Sequence, residues 1–465
     1  TVSHGSDLFR LPIDRVFTMR GYGTVITGTL VSGTISTGET VRIYPGEKKS
    51  KVRGLQVHGQ GVEKALSGQR TAMNLTGLEV GDIERGQCLA RPGTLFPWSL
   101  WDVELSCLPT APKPLKHRKE IHFHHGSREV LARVYLLDRD QLEPGETCPA
   151  QIRFPLPMVG CYGDRFVLRS FSPLRTIGGG TLVNPLGRKI KRFSKHVQII
   201  RELNTSDLNL IIQSQLELAG LQGLDLPRLQ VLTGQPLKSI AKALQELGSA
   251  RQTFLFDKEE QRYVSGSVVQ ELTQSLLEHV QEYHQKNPMK SGISKGMLYS
   301  GWGRNIPAKL VHFVLERSLK SGDLAVDNDS IRLPEHTISM AKDQTKIKEE
   351  LLKTYLQAGL QPPNLNSVLE TLGTNKKEAL PVLELLINEG SLVRLNDNLY
   401  FNSRAIQRIQ EMVRSYFAEH EEMSPTDFKE LSGLSRKYSI PLLEYLDKQK
   451  ITMRIGDVRK LRQSR

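Results

Sequence analysis

Two small β-barrels followed by four tandem winged-helix domains is the fold this sequence predicts. Three observations point to it. The first part of the chain alternates short β-branched runs with glycine. The second part repeats a helix-then-hairpin pattern four times. A polar, strongly basic stretch, Leu186–His196, lies between the two and reads as their linker.

Between Leu8 and about Pro92 the runs are Val16-Phe-Thr, Thr24-Val-Ile-Thr-Gly-Thr-Leu, Thr34-Ile-Ser, Thr40-Val-Arg-Ile-Tyr, Lys51-Val-Arg-Gly-Leu-Gln-Val and Thr71-Ala-Met-Asn-Leu. Gly21, Gly23, Gly28, Gly33 and Gly38 stand at the turns. Strands at that spacing close a small barrel, assigned to residues 1–95. A second barrel, residues 96–187, is read from Asp102-Val-Glu-Leu, Glu120-Ile-His-Phe-His, Val130-Leu-Ala-Arg-Val-Tyr-Leu-Leu, Cys148-Pro-Ala-Gln-Ile-Arg-Phe and Arg165-Phe-Val-Leu-Arg. Gly178, Gly179 and Gly180 form no phosphate loop, because no helix pattern opens after them, and read as a turn or bulge at a barrel corner.

The repeat is anchored by Leu244, Leu315, Leu383 and Leu443, each near the end of a helix. The spacings are 71, 68 and 60 residues. Each anchor is followed by a break and two short β-rich runs: Thr253-Phe-Leu-Phe with Tyr263-Val264, Leu324-Ala-Val with Ile331–Leu333, Leu392-Val-Arg-Leu with Leu399–Phe401, and Ile451-Thr-Met-Arg with Val458–Leu461. A hairpin after helices at that length is a winged helix. The modules are placed at residues 188–265, 266–336, 337–402 and 403–465.

The 465 residues carry a net charge of +13, which favours a polyanionic partner. No apolar run reaches 18 residues, so no membrane helix is expected, and residues 1–7 carry no signal-peptide core. Cys88, Cys107, Cys148 and Cys161 form no C-x-x-C pair, which argues against a zinc site or a disulfide scaffold and for a reducing cytoplasm. The basic run Lys113-Pro-Leu-Lys-His-Arg-Lys precedes His122, His124 and His125. With no carboxylate or cysteine at ligand spacing, these read as a solvent-facing strand beside a nucleic-acid backbone rather than a metal centre.

The fourth module carries the strongest nucleic-acid signal. Ser424 and Pro425 start one helix, and Ser435 caps a second whose first turn presents Arg436, Lys437 and Tyr438. Pro441 falls inside that helix and is expected to kink or tighten its start. Its wing contains Arg454, Arg459, Lys460 and Arg462 around a Gly456-Asp457 tip. These cations are expected on one face, with Tyr438 or an arginine plane stacking on an extruded base, or Tyr438 packed in the core. The third module carries Asn375-Lys-Lys before its helix. The second carries a single Trp302, and the first, with no basic recognition helix, reads as architectural.

The sequence Leu11-Pro-Ile-Asp-Arg-Val-Phe-Thr, the glycines of Gly21-x-Gly-Thr-Val-x-Thr-Gly-Thr, Gly38-Glu39 and Gly68-Gln-Arg resemble the second domain of translational GTPases (elongation factor Tu-like). Gly163-Asp-Arg-Phe-Val-Leu-Arg with Arg175-Thr-Ile-Gly-Gly-Gly resembles the third. Ile440-Pro-Leu-Leu-Glu-Tyr-Leu-Asp with Arg454-Ile-Gly-Asp-Val-Arg resembles the last winged helix of the bacterial selenocysteine-specific elongation factors. That resemblance implies a factor whose barrels bind selenocysteyl-tRNA and whose last module binds the mRNA selenocysteine-insertion (SECIS) hairpin, delivering the tRNA to the ribosome at UGA codons. It also implies a cytoplasmic monomer with no membrane partner. Asp14, Arg15 and Arg70 fall at the family's selenocysteyl pocket positions. Arg15 and Arg70 would supply positive charge and Asp14 would orient one of them. A selenol is more acidic than a thiol of pKa about 8.5, so fixed guanidinium groups would favour the selenolate over a neutral serine hydroxyl.

No Gly-x-x-x-x-Gly-Lys-Ser/Thr loop is visible, and Asn375-Lys-Lys-Glu lacks the companions of a guanine-reading motif. The chain is therefore expected to be a fragment that hydrolyses nothing, with GTP and magnesium belonging to a GTP-binding domain upstream of Thr1. Two other readings stay open: a winged-helix DNA-binding regulator and a protein-interaction scaffold. The barrels discriminate against the regulator.

Overall fold

The computed structural model describes residues 7–20, 23–288, 290–327, 330–336 and 342–462. The readings made for residues 1–6 and for Gly21 lie outside them. The chain divides into two compact units, residues 1–274 with 305–316, and residues 275–304 with 317–465.

In the first unit, nine strands follow one another: β1 (Arg10–Met19), β2 (Gly23–Thr29), β3 (Thr34–Ser36), β4 (Thr40–Tyr44), β5 (Lys49–Val57), β6 (Gln60–Val62), β7 (Lys64–Leu66), β8 (Arg70–Leu75) and β9 (Cys88–Ala90). Six of them close a ring in the order β4-β9-β1-β2-β8-β5, with β5 returning to β4. β6 extends β5, and β3 pairs with β7. Period-2 alternation, interrupted on β5 by a bulge at Arg53 between Val52 and Leu55, turns Leu11, Ile13, Ile26, Val41, Ile43, Val52, Leu55 and Met73 inward, and all are buried. Burying each such side chain stabilises the fold by roughly 1.5–3 kcal/mol before chain entropy is counted.

The second barrel contains β10 (Trp98–Cys107), β11 (Leu115–Lys116), β12 (Glu120–His125), β13 (Arg128–Leu136), β14 (Gln141–Leu142), β15 (Thr147–Met158), β16 (Arg165–Arg169) and β17 (Thr176–Asn184). It closes as β10-β15-β13-β12-β16-β17, with β11 and β14 paired alongside. Trp101 fills its centre, edge-on to Phe123 and Phe154 at centroid distances of 5.8 and 4.9 Å.

The triple glycine is not a turn. Gly178, Gly179 and Gly180 sit inside β17, paired to β10 on one side and β16 on the other. One register shift lies beside Gly178, opposite Leu168 and Arg169, and another lies beyond the glycines, where Asp102 and Val103 of β10 face Asn184 and Leu182. A Cβ at Gly178 would meet the Ser106 carbonyl oxygen at 2.5 Å, and one at Gly179 the Phe166 carbonyl oxygen at 2.6 Å. At Gly180 it would overlap the Glu104 carbonyl oxygen. Close backbone approach, not a reversal of the chain, requires these glycines. Gly180→Ala is therefore expected to destabilise this barrel by about 2–3 kcal/mol, read as a lower thermal midpoint with intact secondary structure. An unchanged midpoint would show that the strands can part without cost.

The basic stretch after β17 is not a free linker. The Trp98 indole N–H donates to the Gly187 carbonyl (2.5 Å) and the Gln151 amide to the Arg188 carbonyl (2.8 Å). Arg192 donates to Asp140 (2.8 Å), and the Phe193 N–H donates to the Leu137 carbonyl (3.0 Å). Buried backbone acceptors and donors need partners, and the barrel supplies them, so the segment lies as a strap on the second barrel.

The first helical module comprises α1 (Lys195–Glu202), α2 (Leu208–Ala219), α3 (Leu226–Thr233), α4 (Leu237–Ser249) and the hairpin β18 (Thr253–Asp257) and β19 (Arg262–Ser265). Val197, Ile199, Ile200 and Ile211 pack with Leu137 and Val183 of the second barrel. Val231 joins Leu8, Tyr44 and Cys161 from both barrels. This shared core fits the architectural reading.

The chain continues through α5 (Gly266–Lys286), β20 (Ile293–Ser294), α6 (Lys295–Ser300), α7 (Ala308–Ser321), β21 (Ala325–Asp327) and β22 (Ser330–Arg332), with the sheet order β20-β22-β21. Trp302 is half-buried, and its indole N–H donates to Ser275 Oγ at 3.1 Å.

Modules three and four follow a common plan: α8 (Lys342–Ala358), α9 (Leu365–Leu372), α10 (Lys376–Asn388), β23 (Leu392–Asn396) and β24 (Leu399–Asn402), then α11 (Ser403–Glu419), α12 (Pro425–Ser432), α13 (Arg436–Lys448), β25 (Thr452–Ile455) and β26 (Val458–Leu461). Helices α9 and α12 each end on a left-handed glycine, Gly373 (φ 63) and Gly433 (φ 66). Helices α10 and α13 each carry an internal proline, Pro381 and Pro441. The Ser424 hydroxyl accepts from the Asp427 N–H while the Asp427 carboxylate accepts from the Ser424 N–H, a reciprocal cap worth about 1 kcal/mol. All four anchor leucines, Leu244, Leu315, Leu383 and Leu443, are buried. Leu399 and Phe401 of the third module share one core with Ile406, Phe428, Leu442 and Leu446 of the fourth.

Candidate functional site

On the first barrel, Asp14, Thr27 and Arg70 come from three adjacent strands. The register of β1 on β2 runs from Ile13↔Gly28 to Arg15↔Thr27, so Asp14 is the extra residue of a bulge that re-aims its carboxylate. The Arg70 guanidinium grips it with both terminal nitrogens, Nη1 to Oδ2 and Nη2 to Oδ1 (3.2 Å), while the Thr27 hydroxyl donates to Oδ1 at 2.7 Å. Partial burial opposes ionisation of Asp14, but the hydrogen bonds from Arg70 and Thr27, with the charges of Arg70 and Arg15, outweigh it and hold the carboxyl below its usual range. Arg70 remains about half exposed, at 52%. A pair this open adds only about 0–1 kcal/mol to the fold. Its consequence is orientational: a guanidinium fixed by two parallel bonds presents its remaining donors in one direction. Arg15 is exposed and adjacent in charge, not bonded into the fork.

In the fourth module, Arg436 and Lys437 are exposed on the first turn of α13. Ser435 is the N-cap residue with extended backbone, yet its side chain makes no capping hydrogen bond. Tyr438 turns into the core. Its ring meets Phe401 edge-on at 6.4 Å, its hydroxyl donates to the Pro362 carbonyl at 3.2 Å, and Lys437 Nζ sits 5.3 Å from its centroid. This corrects the reading of Tyr438 as a base-stacking platform and favours its alternative.

Arg459 is also removed from the basic face. It is buried, and its Nε donates to Asp447 Oδ2 at 2.9 Å, while its backbone pairs with Met423 in both directions. Alternation along β26 explains this. Lys460 points the other way, pairing with Glu422 at 3.0 Å, and so the intervening Arg459 must face α13. Arg454 is exposed beside the wing tip, its Nε donating to the Gly456 carbonyl at 3.0 Å, and Arg462 is exposed after β26. Of the cations expected on the basic face, Arg436, Lys437, Arg454 and Arg462 are exposed. In the third module, Asn375 caps α10 by accepting from the Glu378 N–H, which settles Asn375-Lys-Lys-Glu as a helix start.

The three histidines of β12 separate. His122 Nδ1 pairs with Glu129 (2.8 Å) and its ring lies 4.6 Å from Phe171. His125 Nε2 pairs with Asp164 (3.0 Å) and meets Trp101 edge-on. All three are half-buried. Among the described residues no group of three or more metal-ligating side chains gathers. Burial pushes the Cys88, Cys148 and Cys161 thiols up to about 12, so they stay protonated at neutral pH.

One cluster had no motif of its own. Arg10, 7% exposed, donates from Nη1 and Nη2 to Asp164, and from Nε to Ser32 (3.1 Å), joining the two barrels. Asp164 also accepts the Cys161 N–H at 2.8 Å. Burial alone would raise the Asp164 pKa, but the Arg10 charge and the His125 bond reverse it and hold the carboxyl well below its ordinary range. Gly163-Asp-Arg supplied half of the signal; the partner, 154 residues away, supplied none.

Four family models match. Elongation factor Tu domain 2 covers residues 23–90, and the beta-barrel domain of the selenocysteine-specific elongation factor covers 102–189. A winged helix of elongation factor SelB matches at 277–333 and another at 415–461. The chain is 50% identical over 457 residues to the selenocysteine-specific elongation factor of Desulfomicrobium baculatum, covering 98% of this chain and 72% of that protein. It is 26% identical over 458 residues to that of Escherichia coli (strain K12), covering 98% and 70%. A solved bacterial selenocysteine-specific elongation factor, EF-Sec, superposes with a TM-score of 0.59 at 21% identity, over all of this chain and 71% of that one.

Proposed function

Because the chain belongs to the selenocysteine-specific elongation factors, we propose that its barrels hold the aminoacylated end of selenocysteyl-tRNA and that its fourth winged helix holds an mRNA SECIS hairpin, bringing the tRNA to the ribosome at UGA codons in the cytoplasm. The observation that carries this reading is the oriented, half-exposed guanidinium of Arg70, forked onto Asp14 on the first barrel. A selenolate would accept from its outward N–H groups, with Arg15 adding charge. A serine hydroxyl would leave those charges without a counter-charge, which is how one site rejects a near-isostere. Asp14 positions Arg70 and does not touch the ester.

GTP and magnesium would bind a separate GTP-binding domain, and this chain by itself would hydrolyse nothing. The chain works as a monomer with no membrane partner; among the described residues no helix is long and apolar enough to cross a bilayer.

The hairpin half of the proposal is tested by filter binding of the chain to a cognate SECIS hairpin and a loop-scrambled one across a salt series. Arg436→Ala with Lys437→Ala should weaken both RNAs about tenfold or more and lower the log–log salt slope by about two, since each phosphate neutralised contributes about 0.9. Arg454→Ala should chiefly erase the preference for the cognate loop, by a factor of about 5–100. Unchanged affinity and slope in both variants would place the hairpin elsewhere. Arg459→Ala should act differently, lowering the module's melting temperature, because it strips Asp447 of its charged partner and leaves only the Thr452 hydroxyl.

A further inference from the structure

From Arg165 to Arg201 the chain has nine cations (six arginines, three lysines) and not one aspartate or glutamate, against a net charge of +13 for all 465 residues. Five of the nine lie in the strap: Arg188, Lys189, Lys191, Arg192 and Lys195. The strap's backbone is clamped to the second barrel through Gly187, Arg188 and Phe193. With the main chain held from below, Arg188, Lys189, Lys191 and Lys195 are exposed. Arg192 pairs with Asp140 and Arg188 feels the charge of Asp102, whereas Lys189, Lys191 and Lys195 form no ion pair among the described residues.

Phe193 stands among these cations, 67% exposed and at φ +57, the left-handed region that a phenylalanine adopts only at a cost. No core uses the ring. The Arg192 guanidinium lies 4.9 Å from its centroid, a cation set against the ring. The field around it is positive: after burial, Arg192 and Arg118 are the next causes that depress the His117 pKa. A clamped row of cations with one projecting aromatic ring matches the chemistry of RNA, phosphates on the lysines and an unpaired base on the ring. An acidic peptide would use the cations and leave the ring idle.

We propose that the strap, Arg188–Lys195, is a second RNA-contact surface, which takes the backbone of the carried tRNA and stacks one unpaired base on Phe193. The strap belongs to the same compact unit as the barrels, which is why the carried tRNA, and not the hairpin of the fourth module, is the occupant. The inference rests on the tRNA reading above and extends it to a surface outside both barrels' pockets.

The test uses the whole chain and a tRNA transcript carrying 4-thiouridine at its unpaired positions, with photocrosslinks mapped by peptide mass spectrometry. A crosslink to the peptide containing Phe193 is expected. Phe193→Ala should remove it and weaken binding about tenfold, while Phe193→Tyr should restore both. Lys189→Ala, Lys191→Ala and Lys195→Ala together should lower the salt slope by about two to three. Arg436→Ala with Lys437→Ala should leave the crosslink in place. If binding survives the Phe193 and lysine changes, the strap proposal fails, while the pocket, which a tRNA without its selenocysteyl ester does not probe, stands. If the unaltered chain does not bind the transcript, the strap proposal and the tRNA reading it rests on both fail. If polyglutamate displaces the transcript while Phe193→Ala changes nothing, the strap is a surface for an acidic protein.

Discussion

Arg70→Ala is expected to collapse the preference for selenocysteyl-tRNA over seryl-tRNA by roughly 10–100-fold, in the chain joined to a translational GTP-binding domain. A hydrogen bond to a charged group contributes about 1.5–3 kcal/mol, and removing it from one ester but not the other converts directly into selectivity. Arg70→Lys should recover little, because a point charge cannot keep the two-pronged grip on Asp14. Asp14→Asn should fall between, since the guanidinium remains but loses its orientation. Binding of both tRNAs measured side by side decides the matter. An equal loss for both esters would make Arg70 a tRNA-backbone contact or a structural residue, and the pocket would have to be sought elsewhere on the barrel.

Asp164→Ala should be the most destabilising single change in the first unit. It strands the Arg10 guanidinium in the junction between barrels and leaves His125 and the Cys161 N–H without their acceptor. Breaking one side of a buried pair costs about 3–5 kcal/mol, which for a unit of this size lowers the midpoint by about 10 °C. Replacing both partners with apolar residues, Arg10→Met with Asp164→Leu, should recover much of the loss, because no uncompensated charge remains. The same pair sets a pH dependence. The folded-state pKa of Asp164 lies below its unfolded value near 3.8, so its contribution is fully present above that value and is lost as pH falls through the folded one. Stability of the unaltered chain should therefore drop below about pH 4 more steeply than that of Asp164→Asn. A cost under 1 kcal/mol for Asp164→Ala, or parallel acid profiles, would mean that water or a neighbouring group takes over the carboxylate's role.

Much of the architecture was legible in the chain. Strand runs at period two, glycine breaks and helix caps are local signals, and the four leucine anchors with their following hairpins lie where that pattern put them. Ser424, Pro425 and Gly433 bound α12 by chemistry that acts within four residues. The pairing of Arg70 with Asp14 was also within reach, because both stood in motifs.

The misreadings share a cause. Basic sequence suggests an available cation, but availability depends on what lies opposite. Arg459 and Arg454 are direct cross-strand partners in one hairpin, yet Asp447 draws the first inward and nothing draws the second. Tyr438 follows two exposed cations and still packs inward, because Phe401 of the preceding module offers it a face. The charge of the segment after β17 suggests a linker, while Trp98, Gln151 and Leu137 hold its backbone.

By itself, then, the sequence determined most of the elements that form and the helix-then-hairpin repeat, since periodicity, capping and turn chemistry operate over a few residues. Tertiary structure alone decided which charges are spent inside. Arg10 and Asp164 are 154 residues apart and meet only when both barrels have closed. A side chain's period fixes the face it occupies, but the free energy of that face depends on the surface packed against it, and no local pattern encodes that.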